Sequence, residues 1–123
     1  MALQESGEMY IETIYILSQS SGTVRGVDIG EYMGYSKPSV SRALGLLRNE
    51  GRVKKDPDGS IRLTTAGEIL GRRLYERHTV LSKLFMNLGV DEETATEDAC
   101  RIEHYMSDKT FDAIKAYMKR HES

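Results

Sequence analysis

The sequence contains little cysteine and no long apolar run. Cys100 is the one cysteine among 123 residues, so no disulfide bond can form within the chain. No apolar stretch approaches the roughly 20 residues that span a bilayer, and residues 1–8 lack the basic start and apolar segment of a signal peptide. We therefore expect a cytoplasmic protein with no membrane partner, in which the thiol of Cys100 stays reduced and free to act as a ligand.

Two kinds of catalytic motif are also missing. The sequence contains neither a Gly-rich phosphate loop nor an oxyanion-hole motif. We expect on this basis that the protein is not an enzyme and that it binds no small organic ligand. A metal-dependent hydrolase that uses a Cys-Glu-His cluster, with Glu103 as its base, is the alternative.

The net charge is only −2, but the charges are unevenly distributed along the chain. Residues 36–73 contain nine Lys or Arg against four Asp or Glu, whereas residues 91–108 contain seven acids and one Arg. The first segment suits phosphates and the second suits cations. Charge alone leaves open that each segment is simply a solvated helix face.

The first fifty residues show the pattern of a helix-turn-helix. Apolar spacing predicts helices over residues 8–18 and 25–33. A third helix is predicted from the N-cap candidate Ser36 to about Glu50, with Pro38 in its first turn. The residues of the second helix that we expect to face inward are Val27, Ile29 and Met33. The corresponding stripe on the third helix consists of Val40, Ala43, Leu44 and Leu47.

A hairpin and three further helices complete the predicted fold. Residues 53–55 and 61–63 read as strands around an Asp-Pro-Asp-Gly turn, which is a strong hairpin signal. The later helices are predicted from Thr64 or Thr65 to about Leu88, from about Glu92 to about Met106, and after Ser107. We expect a mainly α fold: an N-terminal winged helix-turn-helix with a small β-hairpin wing over residues 1–71, and a second α-helical unit over residues 72–123 with enough apolar surface to associate.

The third helix is the predicted DNA-reading helix. Short Ser side chains near its start allow close approach to the major groove, and Arg42 has the reach for a guanine edge or a phosphate. Cations of the hairpin suit phosphates. The candidate DNA contacts are Arg25, Ser36, Lys37, Pro38, Ser39, Ser41, Arg42, Arg48, Lys54, Lys55 and Arg62. A trihelical unit that mediates protein contacts is the alternative.

Three potential metal ligands share one predicted helix. Cys100, Glu103 and His104 have i, i+3, i+4 spacing, so they would project from one face. A thiolate, a carboxylate and an imidazole together suit a transition metal. Additional candidates lie on the first and fourth predicted helices: Met9, Glu12 and His78. The alternative is a metal-independent winged-helix regulator in which Met9 and Cys100 are core residues.

Five segments of the chain have the sequence of motifs found in a known family. They are EMYIETIY at residues 8–15, PSVS at 38–41, LTTAG at 63–67, RH at 77–78 and ACRIEHYMS at 99–107. In these motifs the chain resembles the DtxR/MntR family, the iron- and manganese-dependent repressors named for the diphtheria toxin repressor. The resemblance covers nearly the whole chain. It implies a homodimer that binds palindromic double-stranded operator DNA, with residues 72–123 as an α-helical metal-binding and dimerisation domain. It also implies a metal that links the first helix to the fifth.

The resemblance also implies a ligand set of mixed type. The residues that match the activating site of the iron-type members are Met9, Cys100, Glu103 and His104. Manganese-type members use Asp and Glu where this chain has Met9 and Cys100, yet Glu12 and His78 fit the manganese-type set. We expect a short form without the SH3-like domain of iron-type members. We expect no iron-type ancillary site, because Thr96 and Ser82 stand where it uses a His and a Glu.

The expected metal follows from the two sulfur donors, Met9 and Cys100. A thioether and a thiolate favour Fe²⁺ over Mn²⁺, and the general affinity order ranks Co²⁺, Ni²⁺ and Zn²⁺ above Fe²⁺. We therefore expect a repressor of metal homeostasis genes that is activated by Fe²⁺. Mn²⁺ is the alternative, and Co²⁺, Ni²⁺ or Zn²⁺ are expected substitutes in vitro.

Overall fold

The computed structural model describes residues 2–121, with side chains for residues 6–121. Within that part of the chain there are six α-helices and one two-stranded antiparallel sheet, which confirms the predicted mainly α fold with a β-hairpin. The elements are α1 (Ala2–Ser21), α2 (Gly26–Met33), α3 (Lys37–Asn49), β1 (Val53–Lys55), β2 (Ile61–Leu63), α4 (Thr65–Asn87), α5 (Glu92–Ile102) and α6 (Asp108–Arg120). The chain forms two compact units, residues 1–73 and residues 74–123, so α4 contributes to both.

The first unit is a helix-turn-helix whose core follows the sequence pattern. Its buried side chains come from α1, α2, α3 and the hairpin, and Ile11, Ile14 and Ile29 are fully buried. The α3 stripe is buried as predicted, with Ala43 partly buried. Val27 was expected to face inward but is 63% exposed, because it lies in the first turn of α2, beside the hairpin and off the core side that Ile29 occupies.

Local chemistry determines where the helices of this unit begin and end. The Ser36 hydroxyl caps α3 by accepting a bond from the Ser39 amide at 3.3 Å, as predicted. Gly34 lies between α2 and α3 at φ 74°, a conformation that glycine tolerates without strain. The helix α1 is longer than the predicted residues 8–18. At its polar C-terminal end serine hydroxyls donate back to helix carbonyls, as Ser21 does to Leu17 at 3.0 Å.

The hairpin has the strand boundaries that the sequence predicts. Val53 pairs with Leu63, and Lys55 with Ile61. Residues 56–59 form the turn, which closes through hydrogen bonds between Asp56 and Ser60. At its base the Thr64 hydroxyl donates to the carbonyl of Gly51 at 2.6 Å, so the strands are tied to the start of α4.

The second unit packs the rest of α4 with α5 and α6. Its core includes Leu74, Leu81, Ala95, Ala99, Phe111 and Met118. Asp91 caps α5 and Ser107 caps α6. The helix α5 was expected to run to about Met106 but ends at Ile102, because Arg77 binds the carbonyls of Glu103 and Met106 and the intervening residues form a turn.

Among the described residues, no helix combines the length and apolar character that crossing a bilayer requires.

Candidate metal centre and nucleic-acid interface

A buried carboxylate between two imidazoles lies in the second unit. Glu103 is completely buried. The Nδ1 atom of His78 is 3.3 Å from one of its carboxylate oxygens, and the Nε2 atom of His104 is 3.6 Å from the other. Two elements that are distant in sequence, α4 and the end of α5, thus bring three of the predicted ligands together.

The backbone explains how α5 presents these groups. Glu103 is the C-cap of α5 and keeps right-handed helical dihedrals (φ −58°, ψ −26°). It therefore retains its helical relation to Cys100, which is half-buried one turn earlier. His104 follows in the turn, beyond the last helical residue, so the three predicted ligands do not all lie on one continuous helix.

The chemistry of this cluster fits a first-row transition metal. A buried carboxylate is costly unless a cation or hydrogen-bond donors compensate its charge. Imidazole nitrogens and a carboxylate oxygen are common ligands of Fe, Mn, Co and Zn, and the Cys100 thiol on the same helix adds a soft donor. Calcium and magnesium prefer sites built from oxygen.

The remaining predicted ligands belong to the first unit. Met9 and Glu12 are three residues apart on α1, where Met9 is half-buried and Glu12 is 7% exposed. A buried carboxylate such as that of Glu12 needs a polar or cationic environment.

The predicted DNA-reading residues lie on the exposed side of α3. Lys37, Pro38, Ser41, Arg42 and Arg48 are exposed. Ser36 and Ser39 are less available for bases, because the Ser36 hydroxyl donates to the Ser39 hydroxyl at 3.0 Å and also caps the helix.

The three predicted DNA-contacting cations of the hairpin, together with Arg25 at the start of α2, fall into two groups. Lys54 and Lys55 are exposed. Arg62 forms an ion pair with Asp56 at 2.8 Å, and Arg25 donates from Nη1 to the Asp58 carbonyl at 2.9 Å. Arg25 and Arg62 therefore also hold the wing together, a role that the sequence reading missed. The sequence signal for the role of Arg62 was its opposite charge to Asp56, which stands at the start of the turn.

The wing tip carries a stable negative charge. Hydrogen bonds from the Ser60 hydroxyl and the Ser60 amide lower the pKa of Asp58.

A surface cavity of about 600 Å³ lies between α2, α3 and the wing, and its lining includes Arg25, Lys37 and Lys55 against one acid, Glu31. The basic side chains of this concave face thus outnumber the acids, as binding to a phosphate backbone requires.

Comparison with known proteins supports the same interpretation. Residues 2–61 match the family description "Iron dependent repressor, N-terminal DNA binding domain", and residues 64–123 match "Iron dependent repressor, metal binding and dimerisation domain". The chain is 34% identical to the transcriptional regulator MntR of Escherichia coli O6:H1 over 112 residues, which is 91% of this chain and 72% of that protein.

Two further relatives are longer than this chain. The diphtheria toxin repressor of Corynebacterium diphtheriae is 32% identical over 108 residues, 87% of this chain and 48% of that protein. The structure of the manganese regulator SloR superposes with a TM-score of 0.82 at 31% identity, covering 92% of this chain and 53% of that one. The chain thus spans about half the length of both proteins.

The fold, the basic recognition face and the matched domains define a winged-helix transcriptional regulator. This chain belongs to the DtxR/MntR family of metal-dependent transcriptional repressors. The relatives are regulators, which confirms the expectation that the protein is not an enzyme.

Proposed function

We propose that this chain is a cytoplasmic homodimeric repressor whose binding to a palindromic operator is activated by Fe²⁺. The main support for the metal site is the buried carboxylate of Glu103, which lies between the imidazoles of His78 and His104. The proposed ligand set is completed by Cys100 on α5 and by Met9 and Glu12 on α1. Fe²⁺ is the first choice because the thiolate and the thioether are softer donors than carboxylates.

Mn²⁺ is the second candidate, and two observations favour it. His78 lies beside Glu103, which supports its proposed role as the ligand that is characteristic of manganese-type members. Two of the relatives are named MntR and "manganese regulator". In this version His78 and Glu12 supply ligands that are harder than the sulfur donors.

The proposed switch acts by charge neutralisation. Glu12 and Glu103 are two buried carboxylates on different units. A divalent cation bound by both would remove their mutual repulsion and fix the first unit relative to the second. In a dimer this would fix the separation of the two α3 helices near one DNA turn, about 34 Å. The cation shifts a conformational population and makes no contact with DNA itself.

The DNA-binding role follows from the exposed cations of α3 and the wing. We propose that Lys37, Arg42 and Arg48 approach the DNA from α3, with Pro38 and Ser41 admitting the helix closely into the groove. Lys54 and Lys55 are proposed phosphate contacts, together with Arg25 and Arg62, whose guanidinium groups also stabilise the wing. Ser36 and Ser39 position the start of α3.

The test is operator binding by the dimer, titrated anaerobically with Fe²⁺, Mn²⁺, Co²⁺, Ni²⁺ and Zn²⁺. We expect tight binding only with metal, and Cys100→Ala/His104→Ala should lose the metal response while retaining weak, metal-independent DNA binding. Thr96→Ala is a matched control, because Thr96 is an exposed non-ligand residue on the same helix. Equal operator affinity of metal-free and metal-loaded protein would exclude the switch.

The same titration separates the two metals. Activation by Mn²⁺ at far lower concentration than Fe²⁺ would refute the iron proposal. Met9→Asp/Cys100→Glu replaces both soft donors by carboxylates, and we expect it to lower the Fe²⁺ preference relative to Mn²⁺.

A further inference from the structure

Arg77 is a buried arginine whose partners all lie at the corner between α5 and α6. Its side chain is 7% exposed. Nη1 donates to the carbonyl of Glu103 at 2.9 Å and also to the carbonyl of Met106. Nη2 donates to the carboxylate of Asp108, and the guanidinium lies 5.3 Å from the centre of the Phe111 ring.

These contacts fix the segment that carries two proposed ligands. The guanidinium is planar and permanently charged, so its donors have fixed directions. These donors contact residue 103 at the start of the turn, residue 106 within it and residue 108 after it. Residues 103–108 therefore cannot rearrange without leaving a buried cation unpaired, which is strongly unfavourable.

The contact with residue 103 bears directly on the ligands. The carbonyl of Glu103 belongs to the peptide plane that joins Glu103 to His104. Holding that carbonyl restricts the backbone rotation on both sides of the plane, and this rotation determines where the two side chains point. His78 is the next residue after Arg77 on α4, so one turn of α4 supplies both a ligand and the contact that orients two others.

We propose that Arg77 is a positioning residue of the metal centre, which holds Glu103 and His104 in the arrangement that receives the cation beside His78. This inference rests on the proposed metal-binding function. It differs from a purely structural role because it predicts a change in the coordination of the metal, in addition to any change in stability. Outer groups that orient ligands commonly alter metal affinity by about 10- to 100-fold.

The test uses Arg77→Lys in the full chain. Lys keeps the positive charge and much of the length but loses the planar fork, so it cannot reproduce the three directed bonds. Binding of Co²⁺ is followed by its d–d absorption, and binding of Mn²⁺ by calorimetry. We expect affinity to fall by about 10- to 100-fold with an altered Co²⁺ spectrum, while far-ultraviolet circular dichroism of the metal-free protein stays unchanged.

A second variant and a control keep the test decisive. Asp108→Asn removes the anionic partner but leaves both carbonyl contacts, and Asp108 is exposed enough for the fold to tolerate the change. We expect a smaller loss of affinity in the same direction. Lys115→Met breaks the 2.6 Å ion pair between α6 and Glu76 of α4, about two helical turns beyond Asp108 on α6. It should leave affinity and spectrum as in the wild type.

The outcomes separate the two proposals. Absence of metal binding by the wild type overturns the proposed function and this inference with it. Wild-type binding together with an unchanged affinity and Co²⁺ spectrum in Arg77→Lys overturns the inference alone. If Arg77→Lys fails to fold, Asp108→Asn decides, and wild-type affinity in that variant refutes the positioning role. A loss of thermal stability with an unchanged spectrum would also refute it.

Discussion

Gly67 provides a stringent test of how closely α4 approaches the wing. It lies in the first turn of α4, and a β-carbon at this position would overlap the carbonyl oxygen of Arg52 and lie 3.2 Å from the Leu63 side chain. The overlapping atom is backbone, and it already accepts the Thr64 amide at 3.0 Å. Gly67→Ala therefore requires the hairpin base or the start of α4 to move.

The expected change in the free energy of unfolding of Gly67→Ala follows from two opposing effects. Overpacking of a well-packed site costs about 1–3 kcal/mol, and the backbone overlap indicates the upper end of that range. Replacing Gly by Ala in a helix contributes about 1 kcal/mol in the opposite direction. We expect the free energy of unfolding to fall by about 2 kcal/mol in Gly67→Ala. Gly45→Ala in α3 is the matched control, because no described atom other than the neighbouring residues and backbone of the same helix comes within 4 Å of a β-carbon there.

The assay is urea denaturation followed by circular dichroism. Gly45→Ala should be more stable by up to about 1 kcal/mol, so the two variants should differ by about 3 kcal/mol with similar m-values. That is roughly a hundredfold in the unfolding equilibrium. Wild-type or higher stability of Gly67→Ala would refute the close approach. A stable Gly67→Ala protein that also binds operator normally would show that the wing is not held by this contact.

Three further predictions address the DNA interface, a helix cap and pH. Lys54→Ala should weaken binding to all DNA sequences similarly and reduce the slope of log affinity against log salt by about 1 per copy, measured by fluorescence anisotropy. Ser36→Ala should lower the free energy of unfolding by about 1 kcal/mol in urea titrations, because the start of α3 loses its cap. Hydrogen bonds from the Thr94 amide and hydroxyl lower the pKa of Asp91 below 3.8, so its stabilisation is present above that pH and is lost as the pH falls through the lowered value. Asp91→Ala should therefore reduce thermal stability at pH 7, and the difference from the wild type should shrink as the pH falls through the lowered pKa of Asp91.

Local signals in the sequence predicted the elements of the first unit well. The hairpin boundaries were correct because Asp-Pro-Asp-Gly specifies a turn by itself, and the strands on either side need only pair with each other. The start of α3 was correct because Ser36 and Pro38 act within one helical turn. The exposure of Val27 depends on the orientation of α2 in the unit, and apolar spacing in one short helix cannot determine that orientation.

The end of α5 depends on a residue far away in sequence. Arg77 is 26 residues from Glu103 and 29 from Met106, and its hydrogen bonds replace those that a continuing helix would make. The sequence identified the Arg77-His78 pair through family resemblance but gave it no structural role. Likewise, spacing grouped Cys100 with Glu103, whereas the approach of His78 to Glu103 is a tertiary contact.

In the proposed ligand set, the preference for one metal over another depends on two residues, Met9 and Cys100. By family resemblance Glu103 and His104 correspond to the activating site of iron-type members, and His78, the proposed ligand of the manganese type, lies beside Glu103. The nitrogen and carboxylate ligands therefore do not discriminate between the two metals, since imidazole and carboxylate bind both. The preference for Fe²⁺ over Mn²⁺ would therefore come from the sulfur atoms of Met9 and Cys100. The thiolate of Cys100 is the stronger donor of the two, because it carries a charge and the thioether of Met9 does not. Cys100 should therefore contribute more to an iron preference than Met9 does.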